Sequence, residues 1–177
     1  MPHIDLKHIL QSTVSTLYGD LVTRPTGEAV RNGIERALAD TEGGQVAVID
    51  FSEVRCLDIS CADEIVGKLL LRYGRARNFL LCGVAESHCH AIEQVLERHG
   101  LAVVARDRDG RLRVLGPVQD TARRVFGSLC QLGAGGADEL ARRLSVPPDT
   151  ARQALNELLA RHLVQQSGDG YVALAAQ

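Results

Sequence analysis

Between Val46 and Val66 the chain reads VAVIDFSEVRCLDISCADEIV, and this stretch narrows the folds open to it. Val46-Ala47-Val48-Ile49 is a buried-strand run that closes on Asp50, Phe51 and Ser52. After a short loop, Leu57-Asp58-Ile59-Ser60 leads into an amphipathic helix whose first turn holds Asp63 and Glu64. A strand that ends on a carboxylate and feeds a serine at a helix start builds sites in open α/β sheets.

The same alternation runs over the first two thirds of the chain. The N-terminal stretch offers one or two strands, although Asp5 to His8 also fits a helix. Ala29, Val30, Ile34, Ala37 and Leu38 repeat at helical spacing from Thr26 to Asp40. A helix is expected over 60–73, with Ile65, Val66, Leu69, Leu70 and Tyr73 on one face, then a strand from Phe79 to Val84 and a helix over 87–99 stopped by Gly100. Asp109-Gly110 between two strand runs signals a hairpin. Alternating strands and helices imply a mainly parallel sheet covered by helices, over residues 1–116.

After Gly116-Pro117 the grammar changes. Helices are expected over 118–131, 137–144 and 148–162, the last opening on prolines, where a first turn tolerates them. A hairpin from Leu163 to Leu174 turns at Ser167-Gly168-Asp169-Gly170. Residues 117–177 thus form a second, small α+β unit, and a fragment ending at Leu115 is expected to hold its own core.

Composition excludes several classes. At 45% hydrophobic and 24% charged, the 177-residue chain is ordinary for a globular protein. Aromatics at 3% and no Trp argue against stacking platforms for single-stranded nucleic acid. No apolar run approaches the roughly 20 residues of a membrane span, and the N-terminus lacks the features of a secretory signal. Five cysteines without disulfide-framework spacing point to reduced thiols in a cytoplasm. A net charge of −2 gives no global pull toward nucleic acid or anionic lipid.

The pattern D-F-S-x-V-x-x-L-D-x-S followed by a helix resembles the core motif of STAS domains, the fold of anti-sigma-factor antagonists. Its continuation, Ala62-Asp63-Glu64-Ile65, is similar to a group of bacterial STAS-like domains. The resemblance implies that Ser60 matches the residue phosphorylated by an anti-sigma-type kinase, with Asp50, Ser52, Asp58 and Asp63 forming the motif loop. Arg24-Pro25-Thr26-Gly27 resembles an Arg-x-x-Gly segment of the same group. The string ADELARRLSVPPDTARQALNELLARHLVQQSGDGYVAL resembles a winged helix-turn-helix along nearly its whole length, in pattern and spacing.

Each candidate also has a plainer reading. A phosphate on Ser60 would meet a helix N-terminus and add about −1.5 to −2 charge, near Asp58 and Asp63. Ser60-x-x-Asp63 equally has capping-box spacing. Arg24 suits an anion or an ion pair with Asp50 or Asp58. Asp50 and Asp58 suit a carboxylate pair for magnesium, but no phosphate-binding partner accompanies them, and stabilising the loop is the favoured role. Cys82, His88, Cys89 and His90 are zinc-donor types without a completing pair, so buried thiols and surface imidazoles are expected, with no metal and no cofactor. Cys61 at a helix start is a candidate redox thiol beside Cys56. No nucleophile elbow, Walker loop or dinucleotide turn appears, so no catalytic residue is assigned.

Thr150, Arg152, Gln153 and Asn156 lie in the first half of the expected recognition helix and are base- and phosphate-contacting types. Against DNA, six arginines (Arg123, Arg124, Arg142, Arg143, Arg152, Arg161) face six acids (Asp120, Asp138, Glu139, Asp149, Glu157, Asp169), and the wing tip carries no Arg or Lys. A homodimer would double the phosphate contacts. The expectation is a cytoplasmic bacterial regulatory protein without catalysis. Its partners would be double-stranded DNA, an anti-sigma-type kinase or another regulatory protein, with no membrane. Alternatives are a partner-switching interaction module without DNA binding, and a small-molecule or nucleotide sensor.

Overall fold

The computed structural model describes residues 3–5, 9, 20–39 and 46–174. The chain is α/β, with a mixed central sheet and, among the described residues, six helices. Strand β1 (His3–Asp5) leads to a two-residue strand, β2 (Asp20–Leu21), and then to helix α1 (Arg24–Ala39). Pro25 sits in the first turn of α1, and Gly27, Val30, Ile34 and Leu38 form its buried stripe. Residues 6–8, where a helix was one expectation, lie outside the described residues.

Strand β3 (Val46–Asp50) and the short β4 (Cys56–Leu57) precede α2, a helix over residues 59–73. Helix α2 is α-helical at Ile59–Ala62 and Leu69–Tyr73 and π-helical between, at Asp63–Lys68. Strand β5 (Asn78–Val84), helix α3 (Glu86–His99), strand β6 (Val103–Asp107) and strand β7 (Leu112–Leu115) follow. Gly100 ends α3 at φ +62°, the left-handed position that spacing predicts for it.

The main sheet has the order β1-β3-β5-β6-β7. Its first four strands run parallel, and β7 pairs antiparallel with β6 across the Asp109-Gly110 turn. Strands β2 and β4 form a separate parallel pair that ties Leu21 to Leu57. Side chains alternate between faces as strand geometry requires. Ala47, Ile49, Phe79, Leu81, Val103 and Ala105 join the core with α1, α2 and α3. Val46, Val48, Leu80, Cys82, Val104 and Val114 point to the other face.

That second face is covered by the rest of the chain. Helices α4 (Asp120–Leu132), α5 (Ala137–Leu144) and α6 (Pro148–Ala160) are followed by the hairpin β8 (Val164–Ser167) and β9 (Gly170–Ala173). Val125, Phe126, Leu129, Leu155 and Leu158 pack in one cluster with the outward residues of β3, β5, β6 and β7. Among the described residues, the strand faces turned away from α1 to α3 cluster with residues beyond Gly116, so a fragment ending at Leu115 would expose them.

Polar contacts fasten the seam. Arg123 Nη1 donates to the Val114 carbonyl at 2.6 Å, and Nη2 donates to the Gly116 carbonyl. His162 Nδ1 lies 2.9 Å from Asn78 Oδ1, and within the second unit Arg161 Nη1 donates to the Pro117 carbonyl at 2.9 Å. Among the described residues, no helix is long and apolar enough to cross a membrane.

Candidate functional site

The loop into α1 and the start of α2 are stitched together through one carboxylate. Asp58, in extended backbone, is the N-cap of α2, and its Oδ1 accepts the Cys61 N–H at 2.7 Å. The same oxygen accepts the Ser60 hydroxyl at 2.8 Å, while Oδ2 accepts the Thr23 N–H at 2.9 Å. Burial opposes the charge on Asp58, but the N–H groups of Cys61 and Thr23 and the Ser60 hydroxyl hold its carboxyl below the ordinary value. Asp58 thus ties the approach to α1 to the first turn of α2.

The capping-box reading of Ser60 and Asp63 is corrected. Ser60 is the second residue of the helix, half-buried, and donates to the cap instead of being it. The helix begins one residue earlier because Asp58 reaches the Cys61 N–H from outside it. Asp63 lies a turn further on and is directed elsewhere, so among the described residues it is Asp58 that holds a carboxylate against Ser60.

Thr23 adopts φ +74°. A β-branched residue in the left-handed region is strained, and such strain gathers at functional sites. The Thr23 carbonyl accepts the Cys61 thiol at 3.0 Å and the Gly27 N–H at 3.2 Å. The redox reading of Cys61 is corrected by this geometry. Burial pushes its thiol up to about 12, and the Asp58 carboxylate acts in the same direction.

Behind this loop lies a network of charges. Glu64, 1% exposed, takes Arg24 Nη1 at 2.7 Å, Arg31 Nε at 3.1 Å and the Lys68 ammonium. Arg24 Nη1 also reaches Asp63 Oδ2 at 3.0 Å, and His99 Nε2 stands 2.9 Å from Asp63 Oδ1. Arg31 and Arg72 share Glu35. The expected pairing of Arg24 with Asp50 or Asp58 is therefore replaced by one with Asp63 and Glu64. Burial works against both charges. His99 and Arg24 hold Asp63 below the ordinary carboxylate value, and Lys68, Arg24 and Arg31 do the same for Glu64.

The acids lie in the π turn, where helices flank α2 on both sides. Five consecutive residues, Asp63 to Gly67, are buried in a helix held between α1 and α3. Single π turns occur often at functional sites. Gly27 permits the approach of α1, since a Cβ there would lie 2.8 Å from Cys61 Cα and 3.1 Å from Glu64 Cβ. The Arg-x-x-Gly segment so acquires two jobs, an arginine for the acids and a bare backbone for close packing.

At the end of β3, Asp50 Oδ1 accepts the Ser52 N–H at 2.8 Å and Oδ2 lies 3.2 Å from His3 Nε2. Asp50 and Asp58 thus serve different partners. Cys82 accepts from Arg106 and Cys89 from Arg113, while His90 contacts Gln94. His88 is buried rather than a surface imidazole, and its Nδ1 accepts the Ala85 N–H. Among the described residues, no group of three or more His, Cys, Asp or Glu side chains is arranged to hold a metal ion.

On α6, Arg152, Gln153 and Asn156 are exposed and Thr150 is half-buried. Arg152 is already engaged, donating to Asp149 at 2.8 Å and to Asp138 at 3.0 Å. Sequence reasoning missed Thr23, Arg31, Glu35, Lys68, Arg72 and His99. The four-residue spacings Arg31–Glu35 and Glu64–Lys68 were the available signal. The chain matches no protein-family model and no curated protein sequence.

Proposed function

We propose that this is a non-catalytic cytoplasmic regulatory protein. Its N-terminal unit is a STAS-like receiver, and its C-terminal unit is a winged helix-turn-helix that delivers the output to duplex DNA. The observation that carries the reading is the shared core. Because α4 and α6 pack on the strands that α2 covers from the opposite side, a displacement at α2 has a packed route to the output unit.

The input side is supported by Ser60 and Asp58. A phosphate on Ser60 would stand against a carboxylate that is held ionised, and would draw Asp58 away from the Cys61 N–H that it caps. Val22 and Ile59, both exposed, lie on the two segments that Asp58 joins and offer a partner protein an apolar contact. The output side is supported by the helix order and by a Gly135–Tyr171 bridge that adds a third short segment to the hairpin. Four polar or charged side chains of α6, Thr150, Arg152, Gln153 and Asn156, occupy its first three turns.

The test is an electrophoretic shift with duplexes that include the protein's own upstream region, at about 50 mM salt and micromolar protein. Binding should fall about tenfold or more when Arg152 and Gln153 are both replaced by Ala, and Ser60→Asp should change it. A second reading, an adaptor in a partner-switching pathway, is favoured by the ion pairs that occupy Arg152 and by the neutrality of residues 117–177. Absence of any shift would select it. A thermal-shift screen with nucleotides addresses the third reading, a small-molecule sensor.

A further inference from the structure

A groove of about 630 Å³ opens where three helices end, at Gly74 after α2, at Gly100 after α3 and at His162 after α6. It is lined from both sides of the seam, by α2 and α3 of the first unit and by residues 160–163 of the second. Its volume is within the roughly 300–1,000 Å³ of small-molecule sites. Arg75, Arg77 and Arg161 line it together with His99 and His162, and among the described residues no Asp or Glu does. Leu70, Leu71 and Phe79 supply an apolar wall, with Leu71 53% exposed.

Among these groups Arg75 is the one not committed to a described partner. Three helix C-termini present about half an elementary negative charge each to the groove, and the three guanidinium groups outweigh them. Arg77 is committed to the fold, donating to the Leu38 carbonyl at 2.9 Å. Arg161 has Glu157 at 3.7 Å to offset its charge. Arg75 is exposed, and no described carboxylate pairs with it.

His162 adds a second observation. The Leu163 N–H bonds the Leu158 carbonyl and the His162 N–H bonds the Leu159 carbonyl, a helix ending in which the left-handed residue is usually glycine. Here that residue is a histidine at φ +59°, and its ring reaches Asn78 of the first unit at the groove. A side chain held at a glycine position fixes one wall of the groove against the other.

We infer that this groove binds a small amphipathic anion, an acid group on an apolar body, with Arg75 as the principal anchor and Leu71 beside the apolar part. Such a ligand touches both units at once, so its binding stiffens the seam between them. The inference goes beyond the regulatory reading and stands whether α6 meets DNA or protein.

The probe is anilinonaphthalene sulfonate, which has this chemistry and reports by fluorescence, titrated into the intact chain. Wild type should show saturable enhancement at one site per chain while still melting cooperatively. Arg75→Glu and Leu71→Asp, both at exposed positions, should each weaken binding about tenfold or more. Arg98→Glu makes the same charge change at an exposed position of α3 outside the groove and should leave binding unaltered. No saturable enhancement, or equal affinity in wild type and both groove variants, overturns the inference.

Discussion

Glu64 is almost fully enclosed, and a lone carboxylate so placed would take up a proton rather than stay charged. Arg24, Arg31 and Lys68 prevent this, and Arg31 is itself only 15% exposed. Removing the acid leaves Arg31, Arg24 and Lys68 without their common partner beside the α1–α2 contact, with Glu35 still holding Arg31. Glu64→Ala is therefore expected to lower stability by about 3–5 kcal/mol, the range for breaking a buried pair, measured by urea unfolding. A change below about 1 kcal/mol would reduce the network to surface pairing. The pH dependence has a definite sign. Asp58, Asp63 and Glu64 are held below their ordinary values of 3.8, 3.8 and 4.5. Their contribution is complete above those values and is lost as pH falls through the lower folded-state values. Stability should decline from about pH 4.5 downward, and the decline should be shallower in Glu64→Gln.

At the scale of elements, α2 decides the geometry of the candidate site, and its π turn was not legible in the sequence. ADEIVGKLL has an apolar stripe that suits an ordinary helix, and only the packing of α1 and α3 against both flanks buries Asp63 to Gly67 together. The helix itself was readable from Ile65, Val66, Leu69 and Leu70, as was its approximate start. The cap was misassigned because Asp and Ser are both good caps, and the choice rests on which one lies outside the first turn. Gly27 was visible only as part of an Arg-x-x-Gly string, and its reason is spatial. Replacing a helical glycine by alanine ordinarily adds up to about 1 kcal/mol. Here the new Cβ would meet Cys61 backbone at 2.8 Å, and Gly27→Ala should instead destabilise by about 1–3 kcal/mol. Thermal melting monitored by circular dichroism distinguishes the two signs.

For the whole molecule, the alternation of strands and helices followed from apolar periodicity, but the strand order and the relation between the two units did not. The clue was present in Val46-Ala47-Val48-Ile49 and Phe79-Leu80-Leu81-Cys82. A strand with one face in water alternates apolar and polar residues, and these do not, which is the pattern of a sheet covered on both sides. Helices α1 to α3 account for one side only, so the apolar faces of α4 and α6 had to supply the other. Part of α6 and of the hairpin β8–β9 stays on the solvent side of that arrangement, where Gln153, Asn156 and Gln166 are exposed.

The account rests on the two units sharing one core, and calorimetric unfolding of the intact chain with and without Phe126→Ala tests it most directly. Phe126 is 2% exposed in the cluster that joins α4 to the sheet, and its truncation should cost about 3–5 kcal/mol. The prediction is a single transition that moves as a whole to lower temperature in the variant. Two transitions, with the sheet unit melting at the same temperature in both proteins, would contradict it.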